Sequence, residues 1–318
     1  MKIVDAEGVR STLSMPECID AMVTAMTSVS SGDLSMPNRI IMPLVDNSAY
    51  FGVMPGSLGN PRVYGAKVVG LHPGNPAQGR PAIQGGVILF DHDTGVPLVM
   101  VDGAAITTLR TGAASGFATR LLARDDASTL GLFGHGVQAA VHIEAICAVR
   151  PINEIRVWGR SQDKARAFAK EHAGLASAKI VAVADPREAA ACDVICTTTS
   201  SNEPVLRGEW VRPGAHVNLV GAHAPTTREA HTGLIKAGRL YVDSLASAFA
   251  EAGDILIPIE EGAISRDHVI GEIGALQLGR IPGRTGEADI TIYKSLGVVA
   301  QDLVAAHAVY LKSGADGG

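Results

Sequence analysis

Apolar and polar positions follow two different regimes along this chain, and the texture changes after about Thr107. In the first regime Ser14-Met15-Pro16-Glu17 sets a hydroxyl ahead of a proline and an acid. Ile19, Met22, Val23 and Met26 follow at helical spacing, which predicts a capped helix. Short apolar runs at 49–54, 65–70 and 86–90 read as strands, bounded by turn signals at Asp46-Asn47, Pro73-Gly74-Asn75 and Asp93-Thr94-Gly95. The stretch 88–101, broken at 91–95, reads as a hairpin. Consecutive antiparallel strands predict an α+β domain.

In the second regime a small-residue helix is expected over 113–123, then a buried strand over 129–133, a glycine-rich turn, and a helix reaching about Ala148. A strand at 154–158 precedes a helix from Ser161, and apolar runs follow at 179–183, 194–197, 216–220 and 239–242. Strands alternating with helices predict a parallel sheet with crossover helices. The segment from Thr291 to about Leu311 is expected as one helix, from the spacing of Ile292, Leu296, Val299, Leu303, Ala306 and Val309.

Composition narrows the function classes. With 318 residues and 47% hydrophobic positions the chain accommodates two domains with sizeable cores. Lys+Arg 27 against Asp+Glu 32 gives a net charge of −5, with no basic stripe to displace counterions from phosphates, so no nucleic-acid partner is expected. No run of 18 apolar residues and no secretory h-region are present, so neither a membrane partner nor export is expected. Cys18, Cys147, Cys192 and Cys196 lack CxxC spacing and are expected as buried free thiols in a reducing cytoplasm. The histidines, His142 and His231 among them, lack ligand spacing, and no metal site is expected. HExxH, GxSxG and Walker A strings are absent.

The most informative motif is Gly134-x-Gly136-x-x-Ala139, after a buried strand and opening a helix. One glycine makes the tight turn, the second admits a pyrophosphate to the backbone, and a small third residue lets helix and strand pack closely. Gly134, Gly136, Val137 and Gln138 are therefore assigned to a dinucleotide. At the end of the next strand an NAD site places an acid against the ribose 2′-hydroxyl. Here stand Trp158-Gly159-Arg160-Ser161, with a cation and a hydroxyl suited to a 2′-phosphate. Gly159, Arg160 and Ser161 thus favour NADP(H). NAD(H) is the competing reading, with Asp163 in the acid's role.

The run Asp102-Gly103-x-x-Ile106-Thr107-x-x-Arg110-Thr111-x-Ala113-Ala114-Ser115, followed by Gly134-x-Gly136-Val137-Gln138-Ala139, resembles the ornithine cyclodeaminase/mu-crystallin family. So do Glu203-Pro204-Val205-Leu206, Gly208-Glu209-Trp210-Val211, Pro213 to Asn218, Val220-Gly221-Ala222, Tyr293 to Gly297, and Gln301-Asp302. Within the family the pattern is closer to the mu-crystallin-type ketimine reductases than to the cyclodeaminases. The resemblance implies an α/β protein: a Rossmann dinucleotide-binding domain over 116–295, plus a discontinuous α+β substrate-binding and dimerisation domain over 1–115 and 296–318. It implies a homodimer, with the active site between the domains.

It also implies that Arg39, Lys67 and Arg110 meet a small imino- or amino-acid substrate. Guanidinium groups fork a carboxylate, and Lys67 either bonds the carboxylate or assists proton delivery. Arg110 is expected to begin a helix leading toward the cofactor, beside Thr111. Thr198, Val220, Ser295 and Leu296 are expected next to the cofactor. Where cyclodeaminases of the family carry an acid, this chain has His223, which puts cyclisation of ornithine in doubt and offers a second proton donor. The expected reaction is NADPH-dependent reduction of cyclic ketimines, 1-pyrroline-2-carboxylate or 1-piperideine-2-carboxylate, to L-proline or L-pipecolate. The alternatives are NAD-dependent cyclodeamination of ornithine or lysine, amino-acid dehydrogenation of the alanine dehydrogenase type, and a non-catalytic protein holding NADPH and a small ligand.

Overall fold

A computed structural model describes residues 1–314 and divides the chain into two compact units. One comprises residues 1–110 together with the chain from Gly297 onward; the other comprises residues 111–296.

The first unit is built on a sheet of β1 (Lys2–Val4), β2 (Leu34–Ser35), β3 (Ile40–Pro43), β4 (Tyr50–Leu58), β5 (Val63–Leu71), β6 (Ile83–Asp91) and β7 (Pro97–Asp102). Its order is β1-β7-β6-β5-β4-β2, with β3 paired to β4, and every pairing is antiparallel except β1 with β7. Strand periodicity sets its faces: along β5, Val63, Gly65, Lys67 and Val69 point inward. Helix Met15–Ser31 starts where Ser14 gives both its backbone N–H (3.0 Å) and its hydroxyl (2.6 Å) to the Glu17 carboxylate. Its apolar stripe of Cys18, Ile19, Met22, Ala25 and Met26 is buried. Against that stripe and against β4 and β5 lies helix Val299–Lys312. Every residue from Val299 to Ala306 is buried, as a helix covered on both sides requires.

The second unit is an eight-stranded parallel sheet: β8 (Thr129–Phe133), β9 (Glu154–Trp158), β10 (Lys179–Ala182), β11 (Val194–Thr197), β12 (His216–Leu219), β13 (Arg239–Val242), β14 (Val269–Glu272) and β15 (Thr291–Lys294). The order is β10-β9-β8-β11-β12-β15-β13-β14. Its first five places follow the doubly wound arrangement of dinucleotide-binding sheets. Strands covered on both faces read as unbroken apolar runs, and β11, β12 and β15 are buried at every position. One core joins Leu130, Leu132, Ala139, Ile143 and Val157; another joins Phe133, Ile195, Val217, Leu219, Leu240 and Ile292. Among the described residues no helix is long and apolar enough to cross a membrane.

Two expectations are corrected. The segment from Thr291 is not one helix: Thr291–Lys294 forms β15 between β12 and β13, and the helix begins only at Val299. A strand buried on both faces has no period of two to announce it, and Ile292 and Leu296 fell by coincidence into the helix's spacing. Gly297, at φ +81°, takes a left-handed conformation that separates the two elements. Likewise Arg110 does not begin a helix. The helix runs Gly103–Leu122, started by the Asp102 carboxylate accepting the Ala105 N–H at 2.7 Å, so Arg110 sits in its interior. Small residues around the whole circumference hid the start, because no apolar face changes there.

Close packing of β8 yields a stability prediction. A Cβ on Gly131 would overlap the backbone carbonyl of Ala189. Gly131→Ala is expected to lower unfolding free energy by about 1–3 kcal/mol, read as a lower midpoint in urea denaturation.

Candidate functional site

Lys67 and Arg110 come together in the first unit, and neither is a surface ion-pair partner: each is only 5% exposed. What allows their burial is Asp302, fully buried on helix Val299–Lys312. Its Oδ2 lies 2.9 Å from Lys67 Nζ, and its Oδ1 accepts Arg110 Nε at 3.0 Å. Gln301, the preceding residue, accepts a second Arg110 N–H at 2.7 Å. Arg39, half-buried just before β3, donates to the Gly297 carbonyl at 3.2 Å. A Cβ on Gly297 would collide with the Arg110 guanidinium, so Arg39 and Arg110 converge on that glycine.

Electrostatics follow from this geometry. Burial pulls the Lys67 ammonium down to about 8, opposed by Asp302 and aided by Arg110 and Arg39. Burial pushes Asp302 up, but Arg110 and Lys67 together outweigh it and hold the carboxyl below its ordinary value. Two cations pair with one carboxylate and a third, Arg39, acts on Lys67 from beside them, so the cluster is complementary to a further anion of carboxylate size.

In the second unit the glycine turn has the geometry that a diphosphate needs. Gly134, at φ +117°, donates its N–H to the Trp158 carbonyl (2.9 Å), and a Cβ there would press on Thr198. Gly136 caps helix Val137–Cys147, and a Cβ on it would meet nothing within 4 Å, so this side of the turn is open. Val137 is 69% exposed at the helix start, whereas Ala139 is fully buried against the strand layer. Helix-start N–H groups have no partner within the helix. The buried Oε1 of Gln138 has no hydrogen-bond partner among the described residues. An open backbone cradle at a helix N-terminus, whose first N–H groups have no partner within the helix, fits a dinucleotide phosphate.

At the end of β9, Gly159 packs under the His135 ring and Arg160 is exposed. Ser161 caps the next helix by accepting the Lys164 N–H at 3.4 Å. Asp163, the competing ribose partner, is ion-paired with Arg166 at 2.7 Å.

Thr198, Val220, Ser295 and Leu296 sit at the carboxyl ends of the central strands. Thr198 donates its N–H (2.8 Å) and hydroxyl (3.2 Å) to the Phe133 carbonyl, tying β11's exit to that of β8. Val220 N–H bonds Thr197, Ser295 N–H bonds Leu219, and Leu296 N–H bonds the Asp243 carboxylate at 2.7 Å. Thr111 is buried in helix Gly103–Leu122. His223 is exposed, its Nδ1 3.1 Å from the Gly221 carbonyl oxygen.

Beneath these loops lies a charged network that sequence reasoning missed. Fully buried Glu229 accepts from the Thr197 hydroxyl (2.7 Å), the Gly221 N–H (2.6 Å), and both the N–H (2.7 Å) and hydroxyl (2.6 Å) of Thr199. Asp254 accepts the N–H groups of Glu229 and Ala230 and pairs with Lys294 Nζ at 2.9 Å. Lys294 also donates to the Ala222 carbonyl at 2.5 Å. Burial and the neighbouring Asp254 push Glu229 above its ordinary pKa. Lysine closing a run of buried strand residues was the available signal; nothing local marks Glu229 or Asp254. Among the described residues no group of three or more His, Cys, Asp or Glu could hold a metal ion.

A model of the ornithine cyclodeaminase/mu-crystallin family matches residues 1–316. Ketimine reductase mu-crystallin of Mus musculus is 35% identical over 301 residues, 94% of this chain and 92% of that one. Among solved structures, Thermococcus litoralis Delta(1)-pyrroline-2-carboxylate reductase in complex with NADH and L-proline is 34% identical, with a TM-score of 0.94, covering 98% of this chain and 97% of that one. An archaeal alanine dehydrogenase dimer with bound NAD is 32% identical, with a TM-score of 0.92, covering 98% and 96%.

The buried network predicts a large single-site effect. Lys294→Met leaves Asp254 buried without its counter-charge, and a loss of about 3–5 kcal/mol in unfolding free energy is expected. Denaturant titration at neutral pH measures it.

Proposed function

The chain belongs to the ornithine cyclodeaminase/mu-crystallin family, and we propose that it is an NADPH-dependent oxidoreductase that reduces cyclic ketimines such as 1-pyrroline-2-carboxylate or 1-piperideine-2-carboxylate. The observation that carries this reading is the buried Lys67–Asp302–Arg110 cluster with Arg39 beside it. An excess of cations held in an apolar shell suits a substrate bearing one carboxylate. The reductase and mu-crystallin relatives, similar over nearly the whole chain, support the same substrate class.

The first unit is the substrate-binding part in this reading. Arg39 and Arg110 fork the carboxylate and fix the adjacent imine carbon. Lys67 Nζ or the His223 ring holds the proton destined for the imine nitrogen. The second unit holds the dinucleotide: Gly134, Gly136, Val137 and Gln138 take the diphosphate, and Thr111, Thr198, Val220, Ser295 and Leu296 border the remainder. A reduced nicotinamide dinucleotide supplies the hydride when bound.

Arg160 and Ser161 argue for NADP(H): an exposed guanidinium at the end of β9 suits a 2′-phosphate, and Asp163 is already engaged by Arg166. NAD(H) is the second reading, favoured by NADH and NAD in the two similar structures. Alanine dehydrogenation is the second reading for the reaction, from the archaeal relative. Cyclodeamination is disfavoured by His223 in place of an acid.

The protein is further proposed to be a cytoplasmic homodimer. Its cysteines are free thiols, three of them buried, and burial pushes Cys18 up to about 12, which suits a reducing compartment. The apolar side chains Ile40, Ile41, Met42, Tyr50 and Phe51 stand exposed on paired β3 and β4, a surface that a second copy of the chain would cover. The archaeal dimer supports this assembly.

Three measurements test the reading. Purified protein with NADPH or NADH and 1-pyrroline-2-carboxylate, 1-piperideine-2-carboxylate, or pyruvate plus ammonia is followed at the reduced-nicotinamide absorbance. Oxidation with a cyclic imine is expected; ammonia release from ornithine without imine reduction would refute it. Arg160→Asp should shift the NADPH-to-NADH ratio of kcat/KM toward NADH by tenfold or more, about 1.4 kcal/mol. Ile41→Asp should convert a dimer into monomer in sedimentation analysis.

A further inference from the structure

Reduction of a cyclic imine requires a proton at nitrogen as well as a hydride at carbon, and the chain offers two donors. We propose that Lys67, not His223, delivers that proton, and that Asp302 is the positioning residue that makes Lys67 able to do so. This rests on the reductase reading above.

The two donors are held very differently. His223 is exposed on its loop, its Nδ1 3.1 Å from the Gly221 carbonyl oxygen of its own segment. Lys67 takes an inward position of β5, where strand alternation reserves the site for core residues. Its ammonium is ion-paired with Asp302 Oδ2 at 2.9 Å. Asp302 cannot rotate away, because Arg110 Nε holds Oδ1 at 3.0 Å while Gln301 holds the same guanidinium at 2.7 Å. Two adjacent residues of one helix therefore fix the carboxylate, and the carboxylate fixes the lysine.

The charges facing Lys67 set how tightly it keeps its proton. Asp302 faces it from helix Val299–Lys312, Arg110 from helix Gly103–Leu122, and Arg39 from the segment before β3. Cys18 of helix Met15–Ser31, beside Arg110, stays protonated, pushed up to about 12 by burial. Without a carboxylate, burial and two guanidinium groups would loosen the proton further. With Asp302 opposing them the proton is held to about 8, close to working pH, where a general acid is most effective. A substrate carboxylate on Arg39 and Arg110 adds negative charge and favours the ammonium further. Transfer then moves one proton from Nζ to the imine nitrogen as hydride reaches carbon. The neutral amine of Lys67 regains its proton from water.

The test is the pH dependence of kcat at saturating NADPH and 1-pyrroline-2-carboxylate, in wild type, Asp302→Asn, Arg39→Gln and His223→Ala. In wild type kcat should fall as pH rises through the Lys67 titration. Asp302→Asn removes the opposing carboxylate, so Lys67 loses its proton sooner and the alkaline limb should move down by one pH unit or more. Arg39→Gln removes a repelling cation from a half-buried position, so the limb should move up; this variant carries the test if Asp302→Asn does not fold. His223→Ala should leave the limb in place, whatever its effect on rate. The titration of the free substrate is common to all four enzymes. Limbs that stay put in Asp302→Asn or Arg39→Gln, or a limb that moves in His223→Ala, overturn the proposal while leaving the reductase reading intact. Absence of turnover in wild type overturns both.

Discussion

Two cations can be buried side by side in the first unit because one carboxylate lies between them. Removing an ammonium or a guanidinium from water costs several kcal/mol each, and a like-charged neighbour adds to that. Asp302 answers both with its two oxygens. Much else in the unit follows from that placement. Helix Val299–Lys312 must be buried on both sides to bring Asp302 inward, and helix Met15–Ser31 supplies one of the covers. Gly297 must lack a side chain because the Arg110 guanidinium fills that space. Lys67 must take the inward face of β5. A binding surface for a small carboxylate is in this sense a by-product of how the unit solves its own charge problem.

The second unit treats charge in the opposite way. There the acids outnumber the base: Glu229 and Asp254 share Lys294, and their hydrogen bonds go to backbone N–H groups and to the Thr197 and Thr199 hydroxyls. Backbone groups at the exits of β11 and β12 cannot complete a sheet ladder, and buried N–H groups left unpaired are costly. Carboxylates beneath the loops supply the missing acceptors. The loops carrying Thr199 and Gly221 are thereby held from below, leaving their other side available to a ligand at the carboxyl ends of the strands, where doubly wound sheets bind.

What was legible in the sequence was what short-range patterns encode. Thr129–Phe133 stood out because a brief apolar run ended in glycines, and the helix after Gly136 followed from the same turn. The hairpin around Asp93 and the capped helix at Ser14 were equally local. β15 was misread because a strand buried on both faces carries no alternation, and only its long-range pairing with β12 and β13 distinguishes it from a helix turn. Lys67 was visible as a charge inside an apolar strand. Its pairing was not, because Asp302, noted only within the family resemblance, is far along the chain and its neighbours read as an ordinary core helix. Glu229 and Asp254 were invisible for the same reason: a carboxylate's role depends on which backbone it meets after folding.

The order in which the chain is made gives the split first unit a further meaning. Residues 1–110 are made first and carry Lys67 and Arg110, but the carboxylate that pairs with both in the folded unit comes only after residue 298. Residues 111–296 can be complete and folded by then. During most of synthesis the first unit therefore lacks the carboxylate that pairs with its two cations, and this charge cluster is completed only when Asp302 has been made.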